Sequence, residues 1–465
     1  MNTNTPRTSK NAAIVVATLT SFLGPFMSSS LNVALPSIGQ EFSMGPAVLG
    51  WMNTAFLLAA ATFLIPFGRL GDIYGRKRIF ILGLLLLLIS SVLIASSHSI
   101  ATMIICRVIQ GCASAMIFAT MIPILISVVP TTERGRALGI TTAAVYFGLS
   151  AGPFLGGFIT QQLGWRFIFW LNVPLGLILL AVTFLLLKGD WAEAHGQKFD
   201  LTGSAILGLA LIAAMYGFST LPSAISGLIA VVGLIGLVFF IYFEKRVIHP
   251  IVNIDLFRRN TVFAFSNLAA LISYAATFAV GFLLSLYLQK VKALSPQAAG
   301  LILVAQPFVQ AVFSPLTGRL SDKHEPRTLA SLGMIGTLLG LVMLAFLGTA
   351  TPLWYIVICM IILGFGFALF SSPNTNAIMS SVERPVYGVA SATLSTMRQM
   401  GMMFSMGTVM MAISLLMGKA DIGPDNTGQF LLSMRISFIL FAVLSFGGIF
   451  ASLARGKMNR TNSGK

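Results

Sequence analysis

The sequence predicts an all-α, polytopic membrane protein with fourteen transmembrane helices, and its composition and apolar run lengths are the observations that predict it. Of the 465 residues, 56% are hydrophobic and only 9% are charged, whereas soluble chains carry about a quarter charged residues. The mean hydropathy is +0.90. Because a membrane-crossing helix needs about 20 apolar residues, each of the fourteen long apolar runs is a candidate span. This composition excludes a soluble enzyme and a disordered regulator.

Charged or Pro/Gly-rich breaks separate the predicted spans. The first run begins near Asn11 and is too long for a signal-peptide core, so we expect an uncleaved first span. The longest polar connection, Lys188 to Asp200, is too short to fold as a soluble domain. The least marked boundary is the uncharged break at 219–223, between the seventh and eighth spans. The predicted spans are 12–35, 48–69, 79–97, 101–127, 137–160, 167–187, 201–220, 224–243, 262–288, 298–317, 328–348, 353–375, 388–416 and 432–454.

The basic residues predict the orientation of these spans. If the N-terminus is cytoplasmic, 22 of the 29 Lys and Arg residues lie in inner segments and five in outer ones, with Arg107 and Arg398 inside spans. Positive loops resist translocation, so we expect both termini on the inner side of the cytoplasmic membrane. The net charge of +16 then faces anionic headgroups. No nucleic-acid partner is needed to explain it, and we expect a monomer.

A short internal repeat predicts how the spans are grouped. Gly68-Arg69-Leu70-Gly71-Asp72 follows the second span, and Gly318-Arg319-Leu320-Ser321-Asp322 follows the tenth. Parallel repeats of this kind are typical of transporters. We therefore predict a six-helix half over residues 1–187, an inserted helix pair with its flanking loops over 188–260, and a second six-helix half over 261–465.

The segment from Gly68 to Arg78 combines glycines, one carboxylate and several cations in a predicted inner loop. It resembles the signature GxLxDRxGRK of the major facilitator superfamily, with Ile73 where that family usually has a basic residue. The resemblance implies the major facilitator fold and a gating role for this loop and its second copy. A positively charged turn that only sets topology is the alternative. The implied gating residues are Gly68, Asp72, Gly75, Arg76, Gly318 and Asp322.

The fourth span contains Arg107-Val108-Ile109-Gln110-Gly111. An arginine deep in a span costs about 2.5–3.5 kcal/mol on insertion scales, so it is a functional candidate by default. The pattern RxxQG resembles the fourth-span motif of superfamily antiporters, which implies that Arg107, Gln110 and Gly111 take part in proton coupling. The alternative is an arginine that holds helices together through backbone carbonyls.

The fifth span carries the pattern GxxxGPxxGG. Small residues four apart allow two helices to touch backbone to backbone. The pattern resembles the antiporter motif of the superfamily, which implies export rather than uptake. Its residues are Gly148, Gly152, Pro153, Gly156 and Gly157. Further stretches resemble the fourteen-span drug:proton antiporter family: 32–36, 165–176, 199–203, 287–289 and 398–401.

Polar residues inside spans are candidates for a substrate cavity, although interhelical hydrogen bonds are an equally ordinary role for Asn and Gln. The candidates are Asn32, Tyr146, Gln306, Gln310, Asn374, Arg398 and Gln399. A methionine cluster over 397–411 is typical of adaptable surfaces, or of gap filling and lipid contact. None of the thirteen carboxylates lies in the middle of a predicted span. Since a buried cation usually pairs with a carboxylate, we expect neutral, zwitterionic or anionic substrates to be preferred over dications.

Together these observations predict a secondary active transporter that exports lipophilic drugs or toxic small molecules in exchange for protons by alternating access. The alternative is a proton-coupled exporter or symporter of a specific metabolite or amphiphilic, lipid-like compound. The pattern GxxxxGK[ST] does not occur in the sequence, so the proton gradient, and neither ATP nor a cofactor, is the expected energy source. The spacing of His and Cys predicts no metal site, and no catalytic cluster predicts an enzyme.

Overall fold

The computed structural model describes residues 8–130, 133–221, 223–247, 257–258, 260–382, 387–418 and 420–456. Side chains are described within these ranges except at 134–136, 322–323, 387–389, 392 and 424. The described part of the chain is helical and contains no β-strand. Fourteen of its helices are long and apolar enough to cross a membrane. The predicted fold class is confirmed.

The helix bounds follow the predicted spans closely. The first eight helices are Lys10–Phe42, Pro46–Tyr74, Arg76–Ala95, Ile100–Val128, Arg134–Gln162, Arg166–Leu186, Leu201–Ser219 and Ala224–Glu244. The ninth span consists of Thr261–Thr277, Val280–Leu286 and a π-helical turn at Tyr287–Val291, and the tenth of Pro296–Leu303 and Ala305–Lys323. The last four helices are Pro326–Leu344, Leu353–Ser380, Tyr387–Met417 and Thr427–Ala454. The weakly marked boundary between the seventh and eighth spans lies where the sequence predicts it.

The first helix is longer than predicted, because it continues through Pro36 to Phe42. Proline has no N–H, so the carbonyl of Asn32 loses its partner within the helix. The Ser285 hydroxyl, on the ninth span, donates to that carbonyl at 2.6 Å. A proline inside a membrane helix is tolerated where a neighbouring helix satisfies the freed backbone group. Here Pro36 creates a contact between two distant parts of the chain.

The two sets of six helices pack in the same order. The first span lies against the fifth, the second against the fourth, and the third against the fourth and sixth. In the second set, the ninth span likewise packs on the thirteenth, the tenth on the twelfth and the eleventh on the fourteenth. The sets meet where the fifth span packs on the tenth and the second on the thirteenth. The seventh helix packs against the eighth, the second and the thirteenth. The division of the chain at residues 187 and 260 stays a prediction.

One end of the molecule joins the two halves closely. This is the end that carries the turn at residues 43–45, the predicted outer end. Besides the contact at Pro36, the Gln289 amide donates to the carbonyl of Val33 at 2.9 Å. The backbone N–H of Gln297 donates to the side-chain oxygen of Gln161 at 3.3 Å. The largest buried apolar cluster also contains residues from both halves at this end.

Candidate functional site

The loop between the second and third helices is organised by Arg76. Its Nε lies 2.8 Å from Asp72 Oδ1, and its two terminal nitrogens contact both carboxylate oxygens of Glu193 at 2.9 and 3.1 Å. Nη1 also donates to Ser127 Oγ at 2.9 Å. The Arg76 side chain is 9% exposed, and paired, forked contacts of this kind are stronger than single ones. The predicted gating arginine is therefore the centre of an ion-pair network.

The segment after the sixth helix closes over this loop. The backbone N–H of Arg76 donates to Trp191 O, and the N–H of Ala194 donates to Asp72 O, each at 2.9 Å. The N–H of Lys77 donates to Asp190 Oδ1 at 3.0 Å. Gly75 has φ +113°, and a Cβ there would lie 2.2 Å from Asp190 Oδ2. The backbone conformation at residue 75 favours glycine, and the Asp190 carboxylate would have to move to admit a side chain there.

Sequence reasoning missed Asp190 and Glu193, which it treated as part of a simple connection. The available signal was the presence of three acids in the connection from Lys188 to Asp200, in a chain with only 13 Asp and Glu residues. In the second copy of the loop, a Cβ at Gly318 would meet only Ser372 Cβ, at 3.9 Å. The side chain of Asp322 lies outside the described residues.

Arg107 lies among the second, third and fourth helices and is 2% exposed. Its Nε donates to the carbonyl of Met52 at 2.9 Å, and Nη1 donates to the Gln110 side chain. The Gln110 amide donates to Ser91 Oγ at 3.1 Å. The guanidinium carbon lies 4.4 Å from the ring centroid of Phe56, in cation–π range. Nη2 has no hydrogen-bond partner among the described residues.

Gly111 completes the fourth-span motif. A Cβ at this residue would lie 2.3 Å from the carbonyl oxygen of Phe56, so only glycine allows the second and fourth helices to approach this closely. Arg107, Gln110 and Gly111 therefore hold the second, third and fourth helices together in one small region of the first half. A narrow cavity beside Arg107 is lined mainly by apolar side chains, together with Thr20, Ser28 and Ser114.

The fifth-helix motif uses two faces of the same helix. On one face, a Cβ at Gly148 would lie 2.4 Å from Phe22 O, and the Ser30 hydroxyl donates to the carbonyl of Gly152 at 3.1 Å. Gly156 also lies on this face, against the backbone of Ser30. The glycines of this face are the surface on which the first helix packs.

The other face of the motif meets the opposite half. A Cβ at Gly157 would lie 2.6 Å from Pro296 O, and one at Gly300 would lie 2.1 Å from Pro153 O. The fifth and tenth spans therefore touch backbone to backbone near the predicted outer end. The motif belongs to the seam between the halves as well as to packing within one of them.

A polar cluster lies between the halves and is formed by side chains of four helices. The Tyr146 hydroxyl, on the fifth helix, lies 3.2 Å from Ser371 Oγ on the twelfth. Arg398 Nη2, on the thirteenth helix, donates to Thr375 Oγ1 at 2.9 Å, and its guanidinium carbon lies 5.5 Å from the ring centroid of Tyr274. Arg398 Nε has no hydrogen-bond partner among the described residues. We call Tyr146, Tyr274, Ser371, Thr375 and Arg398 the central polar cluster.

Only some of the predicted cavity residues belong to this cluster. Tyr146 and Arg398 do, whereas Tyr274, Ser371 and Thr375 were not singled out from the sequence. Asn32 accepts from the Asn53 amide at 2.8 Å, and Asn374 is 1% exposed and donates to Ser266 O at 3.1 Å. These two asparagines make the interhelical bonds that were the stated alternative. Gln310 is buried, Gln306 and Gln399 are half-buried, and Met403, Met406 and Met410 are buried in the packed interior.

The described carboxylates lie at helix ends or in connections. Glu41, Asp72 and Glu244 lie in the last turns of their helices. Among the described residues, no salt bridge joins the halves, and no carboxylate lies within 4.0 Å of an Arg107 or Arg398 nitrogen. The same part of the chain has no group of three His, Cys, Asp or Glu residues that could hold a metal ion.

Two similarly packed sets of six helices, with a polar cluster between them, define a membrane transporter. The family model of the Major Facilitator Superfamily matches residues 17–243 and 266–464, and the chain belongs to this superfamily. The protein is accordingly a multi-pass membrane transporter and not an enzyme.

Several curated relatives are similar over most of the chain. The riboflavin transporter RibZ of Clostridioides difficile is 31% identical, with 83% of this chain and 85% of the relative covered. The multidrug resistance protein Stp of Mycobacterium tuberculosis is 30% identical, with 80% and 70% covered. The tetracenomycin C resistance and export protein of Streptomyces glaucescens is 27% identical, with 86% and 76% covered.

Solved structures support the fold. A D-xylose-proton symporter has a TM-score of 0.68 at 15% identity, covering 96% of this chain and 97% of the other. A peptide transporter in complex with sulfate has a TM-score of 0.69 at 13% identity, with 94% of both chains covered.

Proposed function

We propose that this transporter exports lipophilic drugs or other toxic small molecules across the cytoplasmic membrane in exchange for protons, by alternating access of its two halves. Two of the relatives reported above are resistance proteins by name, and one of them is also named an export protein. The resemblance of the fifth-helix motif to the antiporter pattern favours the same direction of transport.

The observation that carries the proposal is the seam along the fifth and tenth spans. Gly157 and Gly300 let these spans touch through backbone atoms near the predicted outer end. Side chains of both halves meet again at the central polar cluster, where Tyr146 contacts Ser371. At the predicted inner end, no described salt bridge joins the two halves, and the network around Arg76 joins the first half to the segment after the sixth helix. Halves joined in this way can rock about a site in mid-membrane.

The energetics of proton exchange are adequate for efflux. One charge that moves down 100 mV releases about 2.3 kcal/mol, which supports a gradient of about fifty-fold for an uncharged substrate. A guanidinium stays protonated in proteins, so Arg107 acts as a fixed charge and not as the proton carrier. In this proposal it maintains the contact among the second, third and fourth helices while protons bind elsewhere.

The decisive experiment is transport by the purified protein in proteoliposomes with an imposed pH gradient. We expect accumulation of neutral or zwitterionic lipophiles against their gradient, with proton movement in the opposite direction. Quaternary dications should be moved poorly, because the embedded charges are arginines and no described carboxylate lies in mid-span. Robust transport of dications, or transport unaffected when both the pH gradient and the membrane potential are collapsed, would contradict the proposal.

A second candidate function is transport of one specific metabolite. It is favoured by the similarity to a riboflavin transporter, which is 31% identical. Competition between transported compounds distinguishes the two candidate functions. A multidrug exporter is inhibited by many unrelated lipophiles, whereas a dedicated transporter is inhibited only by close analogues of its substrate.

A further inference from the structure

The charge of Arg398 has no acidic counterpart in the described structure. Its guanidinium donates to the Thr375 hydroxyl and lies 5.5 Å from the centroid of the Tyr274 ring. None of the described salt bridges involves this residue, and its Nε is buried without a partner. The residue as a whole is half-buried, and a cation partly removed from water is stabilised by a counter-charge. The position between the halves means that a bound ligand could supply that charge.

The surroundings of Arg398 are suited to a particular kind of ligand. Tyr146 and Ser371 place two hydroxyl groups 3.2 Å apart on opposite halves. Ser371 lies one helical turn from Thr375, to which Arg398 donates. Hydroxyls and a guanidinium are all donors to an oxyanion. The Tyr274 ring forms an edge-to-face pair with Phe367, at 5.2 Å between centroids, so aromatic surface adjoins the polar groups. Donors beside aromatic faces fit a ligand that carries a negative charge on an aromatic body.

We propose that the central polar cluster is a binding site for aromatic monoanions, with Arg398 as the residue that selects their charge. This inference rests on the proposed export function and specifies its substrate class.

The negative charge of the proposed substrate has an energetic consequence. A cell interior is electrically negative, so outward movement of an anion is favoured by the membrane potential as well as by inward movement of a proton. Export of such a substrate therefore requires no pH gradient.

Three naphthalene compounds of similar shape test the charge preference. Naphthalene-1-sulfonate is anionic, naphthalene-1-sulfonamide is neutral, and trimethyl(1-naphthyl)ammonium is cationic. Uptake of each radiolabelled compound is measured in proteoliposomes with equal pH on both sides. Valinomycin and an inward potassium gradient make the interior of the proteoliposomes electrically positive. We expect at least about tenfold faster uptake of the sulfonate with the potential than without it. The ammonium compound should show no protein-dependent uptake when the potential is reversed.

Substitutions test whether the charge preference arises at the central polar cluster. Arg398→Gln should lower the ratio of sulfonate uptake to sulfonamide uptake, the latter driven by a pH gradient, at least about tenfold. Arg398→Lys keeps the charge and should retain a measurable part of sulfonate uptake. Arg435→Gln is the matched control, since Arg435 bonds the carbonyl of Ala345, away from the cluster. Binding is measured separately as a rise in melting temperature with sulfonate, expected in the wild type and lost in Arg398→Gln.

The outcomes separate this inference from the function on which it rests. Sulfonamide export with no sulfonate binding or transport overturns the anion site and leaves the exporter proposal standing. Equal loss of all substrates in Arg398→Gln, with sulfonate still raising its melting temperature, overturns the selective role of Arg398. Absence of transport of any compound under either gradient overturns both.

Discussion

At the scale of single residues, Arg76 belongs to a motif that is visible in the sequence. Its side chain also contacts partners that the sequence does not reveal. The loop pattern identifies Arg76 and Asp72 as neighbours one helical turn apart. Glu193 lies 117 residues further along the chain and contacts the same guanidinium. Side chains this distant meet only because the third helix packs on the sixth. The sequence could therefore predict the cation of the network but not its second acid.

The Asp72 carboxylate gives the first prediction. Asp72→Asn removes the charge that pairs with Arg76 Nε at 2.8 Å while keeping the size of the side chain. Because charged hydrogen bonds contribute about 1.5–3 kcal/mol, we expect turnover to fall about tenfold with unchanged membrane insertion. The measurement is initial-rate transport in proteoliposomes. Asp425→Asn, in an exposed connection, is the control. Unchanged turnover would leave the loop with a role in topology only.

Arg107 gives the second prediction. Arg107→Ala removes the bonds to Met52 O and Gln110 and leaves space in the helix contact. We expect a folded protein that has lost uncoupler-sensitive efflux, because the contact that Arg107 maintains among the second, third and fourth helices is lost. Efflux is followed in cells with and without uncoupler, and Arg435→Ala serves as the control. Normal uncoupler-sensitive efflux in Arg107→Ala would remove this residue from the coupling mechanism.

At the scale of elements, the fifth helix performs two packing tasks with one motif. Gly148, Gly152 and Gly156 face the first helix, whereas Gly157 faces Pro296 of the opposite half. The four-residue spacing predicts close helix contact but does not identify the partner helix. Two different partners on two faces could be recognised only from the tertiary structure.

Gly157 gives the third prediction. In Gly157→Ala the new methyl group would lie 2.6 Å from Pro296 O, so the fifth and tenth spans must separate near the predicted outer end. We expect several-fold slower turnover, since overpacking costs about 1–3 kcal/mol. Transport rate and melting temperature are both measured. Gly139→Ala lies in the same helix with no atom within 4 Å and should behave as the wild type, and equal behaviour of the two variants would refute the seam argument.

At the scale of the whole molecule, orientation is the prediction most open to a direct test. His98 and His195 are both exposed and lie in connections that the charge distribution assigns to opposite sides. We expect an impermeant maleimide to label His98→Cys, but not His195→Cys, in intact cells. Both variants should be labelled after permeabilisation, and the wild type supplies the background from its three cysteines. Labelling of His195→Cys in intact cells would reverse the orientation.

The sequence by itself determined the number of spans, their approximate bounds, the superfamily and the positions of the two embedded arginines. These properties depend on local apolar length, on charge and on short motifs, all of which are visible along one chain. The tertiary structure decided which residues act together. Glu193 reaches Arg76, Gly157 meets Pro296, and Tyr146 contacts Ser371 because helices far apart in sequence pack side by side. Such contacts depend on which faces of two helices meet, and spacing within one helix carries no information about the face of another.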